Sequence, residues 1–116
     1  MPIAGKYLFI VSMDVAKEKE ALFNEVYDKE HVPSLLEVPG VVSVARFRRR
    51  PLEMFIGGER KKIVIEGEPA YTALYELESP EVLITPAWSA AVERGRWPAQ
   101  VRPFTSNRRH FMWQRI

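Results

Sequence analysis

The sequence contains no cysteine and only two histidines. Without a thiol, the chain has no disulfide framework, no thiolate zinc site and no cysteine nucleophile. The two histidines, His31 and His110, are far apart, and the scattered acidic residues around them lack the spacing of metal ligands. We therefore expect neither a metal nor a cofactor, and the lack of cysteine favours a reducing, cytoplasmic location.

Long apolar runs and a strong excess of charge are also missing. The apolar stretch 7–13 is far shorter than a membrane span and has no small-residue cleavage site. The net charge is only +2, and acidic residues are interspersed with the clusters of arginine and lysine. This mixture weakens the positive field that phosphate binding needs. We expect neither a membrane anchor nor a nucleic-acid partner.

The residues that are present predict a single globular domain over 1–116. Hydrophobic residues make up 47% of the chain and charged residues 28%, which is typical of a folded protein. Runs rich in β-branched and aromatic side chains predict four strands. These strands are expected at 7–13, 41–47, 71–77 and 107–116.

Helices are predicted in the two intervals that follow the first and third of these strands. Apolar residues at three- and four-residue spacing predict a helix after residue 17, broken or restarted at Pro33. Ser79-Pro80 and Thr85-Pro86 each combine a capping residue with a proline at the first helical position. They predict a second helix that restarts once and ends near Gly95, after which Trp97-Pro98 returns the chain to extended structure.

Two β-prone runs flank Gly57-Gly58 and predict a hairpin inserted in the middle of the chain. The remaining order of elements, βαββαβ, is that of a ferredoxin-like α+β fold, with two helices on one face of an antiparallel sheet. The first two strands are nevertheless apolar on both faces. Because the chain is too short to encode a further layer, we expect a second copy to cover the uncovered face, giving a homodimer.

The chain contains Tyr27-Asp28-Lys29-Glu30-His31-Val32-Pro33, then the run 36–40 (LEVPG), and later the strand 71–77 (YTALYEL) followed by Ser79-Pro80-Glu81 and Pro86-Ala87-Trp88. These segments resemble the EthD-like family of the dimeric α+β barrel superfamily. The resemblance implies a homodimeric barrel with a small cavity between sheet and helices in each subunit. Members of the superfamily include polyketide cyclases, cofactor-free monooxygenases, lactone isomerases and stress-responsive proteins, so the fold alone does not identify a reaction.

One stretch departs from the pattern of related barrels. Cyclase-like and stress-responsive members carry a His-Pro-x-His motif on the second helix, whereas the matching stretch here is Thr85-Pro86-Ala87-Trp88. Trp88 takes the place of the second histidine and cannot exchange a proton. This departure argues against a cyclase of that kind.

His31 is the candidate catalytic residue. It lies four residues after Tyr27 and eight after Phe23, so a helix would direct all three toward the cavity. An imidazole there can accept or return a proton, with Asp28 or Glu30 as an orienting carboxylate. The alternative is that His31 only ends the helix before the proline and binds a backbone carbonyl.

The candidate ligand-binding residues are aromatic side chains and two polar residues of the last strand. The aromatic candidates, which alternatively form ordinary core, are Phe9, Phe23, Tyr27, Tyr75 and Trp88. Asn107 and Arg109 share one strand face with Phe111 and Trp113 and would bind a carboxylate or enolate, unless they form an exposed strand end. His110 is interpreted as a histidine of the sheet or of an interface.

These observations lead to one functional hypothesis and two alternatives. The leading hypothesis is a small cofactor-independent enzyme that acts on a small aromatic or polyketide-like molecule by proton transfer, as an isomerase, cyclase or lyase. The first alternative is a non-catalytic barrel that binds a small hydrophobic ligand in a stress or degradation pathway. The second is a haem-degrading or monooxygenase variant. The sequence does not identify the substrate or the pathway.

Overall fold

The computed structural model describes residues 3–116. Its main feature is a four-stranded antiparallel sheet of order β2-β5-β1-β6, and β3 pairs with β4 in a separate hairpin. The strands are β1 (Tyr7–Val15), β2 (Val41–Arg48), β3 (Leu52–Ile56), β4 (Glu59–Ile63), β5 (Tyr71–Leu77) and β6 (Thr105–Gln114). The predicted ferredoxin-like α+β fold is confirmed, including the inserted hairpin.

The first helical segment does not break at Pro33. After a short 3-10 turn, α1 (Glu20–Val26) runs into a π-helical turn (Tyr27–His31) and then directly into α2 (Val32–Leu36). Pro33 comes just after the π-helical turn, and the turn closes with a hydrogen bond from the N–H of Val32 to the carbonyl oxygen of Tyr27. The π-helical turn therefore replaces the predicted break.

The second helical segment begins as the capping residues predict. A 3-10 helix (Pro80–Ile84) follows Ser79, whose side chain accepts a hydrogen bond from the backbone N–H of Glu81. The helix α3 (Pro86–Ala91) follows Thr85, whose Oγ1 accepts a hydrogen bond from the backbone N–H of Trp88 at 3.2 Å. Both caps satisfy N–H groups that a helix start leaves without a partner.

The segment after Gly95 is helical, so its predicted extended structure is wrong. A π-helical turn (Trp97–Val101) and a 3-10 turn (Arg102–Phe104) precede β6. The reason is burial, because Trp97 is 3% exposed and its indole packs within the helical layer. Gly95 does adopt a left-handed φ of 66°, but a Cβ there would also lie 2.4 Å from Glu30 Oε1.

The two faces of the sheet have different surroundings. On the helix-covered face, alternate residues of β5 from Tyr71 to Leu77 are buried and form the core with Phe23 and Val26. The opposite side, which we call the open face, has no layer over it in residues 3–116. The strand register places these apolar side chains on the open face: Leu8, Ile10, Phe47, Leu74, Phe111 and Trp113.

The hairpin β3–β4, which we call the arm, has little contact with the rest of the chain. All five residues of β3 are exposed, and so are the first four of β4. Phe55 at the tip is 72% exposed. Nowhere in residues 3–116 is there a helix long and apolar enough to cross a membrane.

Candidate functional site

A cavity of about 500 Å³ lies between the helix-covered face and the helical layer. Ligand-binding cavities in proteins commonly have volumes of roughly 300–1,000 Å³. Strands β1, β5 and β6 supply one wall, and the helical segments supply the others. The polar side chains that line the cavity are Tyr27, His31, Tyr75, Glu93, Arg102, Arg108 and His110.

His31 reaches the cavity because the π-helical turn places it on the same inner side as Tyr27. The imidazole is 5% exposed. The indole of Trp97 stacks on it with ring centroids 4.2 Å apart, and Tyr27 packs against it edge-on at 5.1 Å. His31 Nδ1 is buried and has no hydrogen-bond partner within the described part of the chain. Proton exchange with a cavity ligand therefore falls to Nε2.

The environment of His31 keeps its imidazole neutral. Burial lowers the pKa of His31 to about 4, and the positive charges of Arg102 and Arg108 act in the same direction. Glu93 opposes them more weakly. At neutral pH the imidazole is therefore unprotonated, so it can act as a base but not as an imidazolium acid.

The carboxylates beside His31 in the sequence have other partners. Asp28 accepts a hydrogen bond from Arg46 at 2.7 Å. Glu30 accepts hydrogen bonds from the backbone N–H and the Nε of Arg96, at 2.9 and 2.6 Å. Neither contacts the imidazole, so the prediction that Asp28 or Glu30 orients His31 is wrong. Instead, aromatic packing holds the ring in place.

Two buried tyrosines place hydroxyl groups at the cavity wall. The hydroxyls of Tyr27 and Tyr75 lie 2.9 Å apart and share one hydrogen bond. Burial raises the pKa of Tyr27 and raises that of Tyr75 well above its usual range, so both stay protonated. Since one hydrogen bond uses only one of the two hydroxyl protons, the pair retains a proton that can be donated to a ligand.

Aromatic rings other than those packed on His31 also line the cavity. Trp88 meets Phe9 and Tyr75 edge-on, with ring centroids 6.0 and 5.9 Å apart. Phe9 and Tyr75 are themselves in contact at 5.4 Å. The indole of Trp88 is half-buried and lines the cavity. Such surfaces suit a flat, apolar ligand.

Phe23 lies outside the cavity. It is fully buried in the core, between Tyr27, Tyr71 and Trp97. The candidates that do line the cavity are Phe9, Tyr27, His31, Tyr75 and Trp88. Helical spacing correctly predicted that Phe23 points inward, but its side chain lies in the packed core rather than in the cavity.

Asn107 and Arg109 also lie away from the cavity. Asn107 adopts a left-handed φ of 52° and donates hydrogen bonds to Asp14 Oδ2 at 3.0 Å and to the carbonyl oxygen of Gly67 at 2.7 Å. Arg109 pairs with Ser12 across the sheet and donates to the same carbonyl at 3.2 Å. Both residues therefore hydrogen-bond the segment around Gly67, which follows the arm in sequence.

Their neighbours on β6, Arg108 and His110, line the cavity instead. Side chains alternate along a strand, so the two pairs face opposite sides of the sheet. The imidazole of His110 stacks on Phe9 at 6.1 Å, and partial burial together with Arg108 lowers its pKa. Knowing the strand register would have identified this pair, but the arginine-rich sequence 107–110 gives no signal of it.

Sequence reasoning also missed Trp97, Glu93 and Arg102, which reach the cavity from the segment between α3 and β6. The NH2 of Arg102 forms an ion pair with Glu93 and donates a hydrogen bond to the carbonyl oxygen of Val92 at 2.8 Å. Within residues 3–116, no group of three or more His, Cys, Asp or Glu side chains is placed to hold a metal ion.

Comparisons with known proteins bear on the fold. No protein-family model matches the chain, and no curated protein matches it either. Among solved structures, it is similar to the heme-degrader MhuD from Mycobacterium tuberculosis with two hemes bound in its active site. The identity is 13%, the TM-score is 0.60, and the match covers 95% of each chain. A mutant of MhuD with two manganese protoporphyrin IX bound per active site gives a TM-score of 0.62 at 13% identity, over 95% of this chain and 94% of that one.

An ethyl tert-butyl ether D (EthD) family protein from Bacillus halodurans is also similar, with a TM-score of 0.57 and 13% identity. The match covers 95% of this chain and 99% of that protein. At this identity the likeness concerns the fold alone, and it agrees with the fold that the sequence resemblance implied. The chain therefore has the ferredoxin-like α+β fold of MhuD and of an EthD family protein.

Proposed function

We propose that the protein binds a small, flat aromatic molecule in this cavity and removes a proton from it, with His31 as the base. The observation that supports this most directly is a buried, neutral imidazole lining an aromatic cavity that also contains a hydroxyl pair. A base and a hydrogen-bond donor in one apolar site are the two groups that proton abstraction next to a carbonyl needs.

In the proposed reaction, His31 Nε2 accepts a proton from the carbon beside the substrate carbonyl. The electron pair of the broken C–H bond moves onto the carbonyl oxygen and forms an enolate. The free hydroxyl proton of the Tyr27–Tyr75 pair stabilises that oxygen, and the positive charge of Arg108 adds to the effect. The negative enolate in turn stabilises the new imidazolium, which offsets the low pKa of His31. Where the enolate is conjugated with a neighbouring C=C bond, returning the proton to the far carbon of that system moves the double bond, completes an isomerisation and requires no cofactor.

Proton abstraction can be measured without knowing the natural substrate. We expect the protein to catalyse exchange of the α-hydrogens of 2-tetralone, a flat aromatic ketone, with deuterium from D2O, followed by NMR. His31→Ala should abolish this exchange while leaving the fold intact, whereas the matched variant His110→Ala should retain most of it. Unchanged exchange in His31→Ala would remove His31 from its proposed role.

Binding without chemistry is the alternative, and one observation favours it. No carboxylate orients His31, and its Nδ1 has no hydrogen-bond partner among residues 3–116. Histidine bases are commonly oriented by a hydrogen bond on the second nitrogen. In this case the cavity would bind 2-tetralone but would not exchange its protons. The same NMR experiment, combined with a binding titration, separates the two functions.

A haem-binding role is the second candidate function. It is favoured by the likeness to MhuD and by neutral imidazoles at His31 and His110, since a neutral histidine is a common axial ligand of haem iron. Arg102 and Arg108 carry the charge opposite to haem propionates. Bound haem would supply redox chemistry at its iron. A Soret shift on adding haemin, lost in His31→Ala or His110→Ala, would support this role, and an unshifted spectrum would exclude it.

We also propose that two copies of the chain pair through their open faces. Phe47, Phe111 and Trp113 on this face are 54%, 45% and 57% exposed. Four strands about 4.8 Å apart, with about eight residues each at about 3.3 Å per residue, present about 500 Å². A stable interface buries about 800 Å² per partner. The exposed apolar side chains of the arm, including Phe55, would supply the remaining area.

The pairing is testable by sedimentation at micromolar concentration. We expect the mass of two chains for the wild type and of one folded chain for Phe111→Glu, because a charge would be buried in the interface. Ile84→Glu, at a side chain that is 83% exposed on the helical side, should remain paired. A folded single chain for the wild type would contradict the proposal. The predicted cytoplasmic location continues to depend on the lack of cysteine alone.

A further inference from the structure

We infer that the cavity selects an aromatic anion, and that the guanidinium of Arg108 binds its carboxylate or an equivalent negative group. This inference rests on the proposed function only in placing the ligand in the same cavity. It adds the chemical class of the ligand and a specificity residue outside the His31 and tyrosine groups.

The first argument is the pairing of the arginines around the site. Arg46 and Arg96 form ion pairs with Asp28 and Glu30, and Arg102 pairs with Glu93. Arg108 forms no ion pair with any described carboxylate, and its only side-chain hydrogen bond is to Thr105 Oγ1 at 3.3 Å. It is thus a cavity-lining cation whose charge nothing in residues 3–116 neutralises.

The second argument is the net charge of the cavity lining. Only Glu93, Arg102 and Arg108 carry charge there, since His31 is neutral at pH 7 and the low pKa of His110 leaves it neutral too. Glu93 cancels Arg102, which leaves one positive charge. The positive charge of Arg108 acts across the whole site, because it is one of the causes that lower the pKa of His31, of His110 and of both tyrosines. A ligand with one negative charge would therefore neutralise the cavity.

The third argument is shape. The walls formed by Phe9, Tyr75 and Trp88 are aromatic and suit a ring system, whereas the guanidinium on β6 suits a planar carboxylate through two parallel hydrogen bonds. The two recognition elements are both parts of one cavity. Together they describe a flat aromatic monocarboxylate, or the enolate or phenolate equivalent of one.

The strand provides a matched control for the test. Arg108 and its neighbour Arg109 have the same charge, and both are exposed at the strand surface, but Arg108 lines the cavity and Arg109 binds the carbonyl of Gly67 on the other side. Arg108→Gln and Arg109→Gln therefore change the net charge equally and differ only in the side of the sheet that they affect.

We would titrate 2-naphthoate and its neutral analogue 2-naphthalenemethanol into the wild type and both variants by calorimetry. The wild type should bind the carboxylate at least about tenfold more tightly than the alcohol, as expected for a charge-assisted hydrogen bond. Arg108→Gln should lose about tenfold in affinity for the carboxylate and little for the alcohol. Arg109→Gln should bind both as the wild type does.

Two further variants make the result decisive. Arg108→Lys keeps the positive charge but not the planar guanidinium, so it should give an intermediate affinity for 2-naphthoate. Near-ultraviolet circular dichroism checks that each variant is folded. His31→Ala should retain the preference for the carboxylate even if exchange of 2-tetralone fails, which separates this inference from the proposed base. Equal wild-type affinity for the two probes, no binding of 2-naphthoate, or equal losses in Arg108→Gln and Arg109→Gln would overturn it.

Discussion

The two faces of the sheet are made by the same strands, yet they differ in almost every physical property. On the helix-covered face, Phe23 is 0% exposed and Tyr75 is 2% exposed. On the open face, Phe111 and Trp113 are 45% and 57% exposed. Both faces are rich in aromatic side chains. The difference teaches that the layer above a strand, rather than the residue type, decides whether an aromatic side chain is core or available surface.

The buried groups with altered pKa values lie at the covered face for the same reason. Burial lowers the pKa of His31 and raises the pKa values of Tyr27 and Tyr75, because a charged form is disfavoured away from water. The open face instead carries exposed apolar side chains such as Phe111 and Trp113. It is suited to association, whereas the covered face is suited to binding and proton transfer.

The strongest test of the difference between the two faces is to truncate one phenylalanine on each side of the sheet. Phe23→Ala should lower the free energy of unfolding by about 3–5 kcal/mol, because it leaves a cavity in a packed core. In the unpaired chain, Phe111→Ala should lower it by about 1 kcal/mol or less. Chemical denaturation of both variants, at a protein concentration low enough to keep the chains single, measures the difference. Equal losses would mean that Phe111 is packed as tightly as Phe23 within one chain.

The pH dependence of stability is the next test, because it measures the effect of burying His31 at the covered face. The pKa of His31 is about 4 in the folded protein, below its ordinary value of 6.5, so the folded state resists protonation and the unfolded state does not. The stabilisation by neutral His31 is complete above pH 6.5 and is lost as the pH falls toward 4. The full loss is about 3 kcal/mol. Denaturation midpoints measured from pH 7.5 to 4 should reveal it.

The control for this experiment is the second histidine. His31→Gln should flatten the profile between pH 6.5 and 4, since it removes the group that titrates differently in the two states. His110→Gln should leave most of the slope, because the pKa of His110 is lowered in the same direction but its side chain is far more exposed. If His31→Gln keeps the wild-type slope, the imidazole is not sealed from water.

The smallest expected effect concerns the hydroxyl pair. Tyr27→Phe or Tyr75→Phe leaves the other buried hydroxyl without its partner and should lower the free energy of unfolding by about 1–2 kcal/mol. The double variant should lose less than the sum of the two, since no unpaired hydroxyl remains. A double-mutant cycle by chemical denaturation measures this coupling. Strict additivity would show that the hydrogen bond contributes nothing.

Much of the fold follows from short-range patterns. The strand β5 was predicted with its observed bounds because tyrosine, alanine and leucine alternate from Tyr71 to Leu77. The caps at Ser79 and Thr85 were predicted because a side-chain oxygen before a proline satisfies the first N–H groups of a helix. The aromatic residues Phe9, Tyr75 and Trp88 were rightly placed at the cavity wall.

The errors share one cause. Two helical segments were not predicted: the π-helical turn that ends at His31, and the turns from Trp97 to Phe104. Both are stabilised by packing between segments far apart in sequence, such as that of Trp97 on His31. Likewise, Arg109 lies away from the cavity because it pairs with Ser12 and shares the open face with Phe111 and Trp113. Alternation along β6 predicts this common face, but which face of β6 meets the cavity depends on its pairing with β1, and sequence alone does not reveal it.

The sequence by itself determined the order of strands and helices, the caps, the apolar character of both sheet faces and the inward direction of His31, since each depends on neighbours within a few residues. Only the tertiary structure decided that Trp97 stacks on His31, that Asp28 and Glu30 are bound elsewhere, and that Arg108 rather than Arg109 lines the cavity. Burial and strand register arise from contacts between distant segments, and burial is what leaves His31 a neutral imidazole at neutral pH.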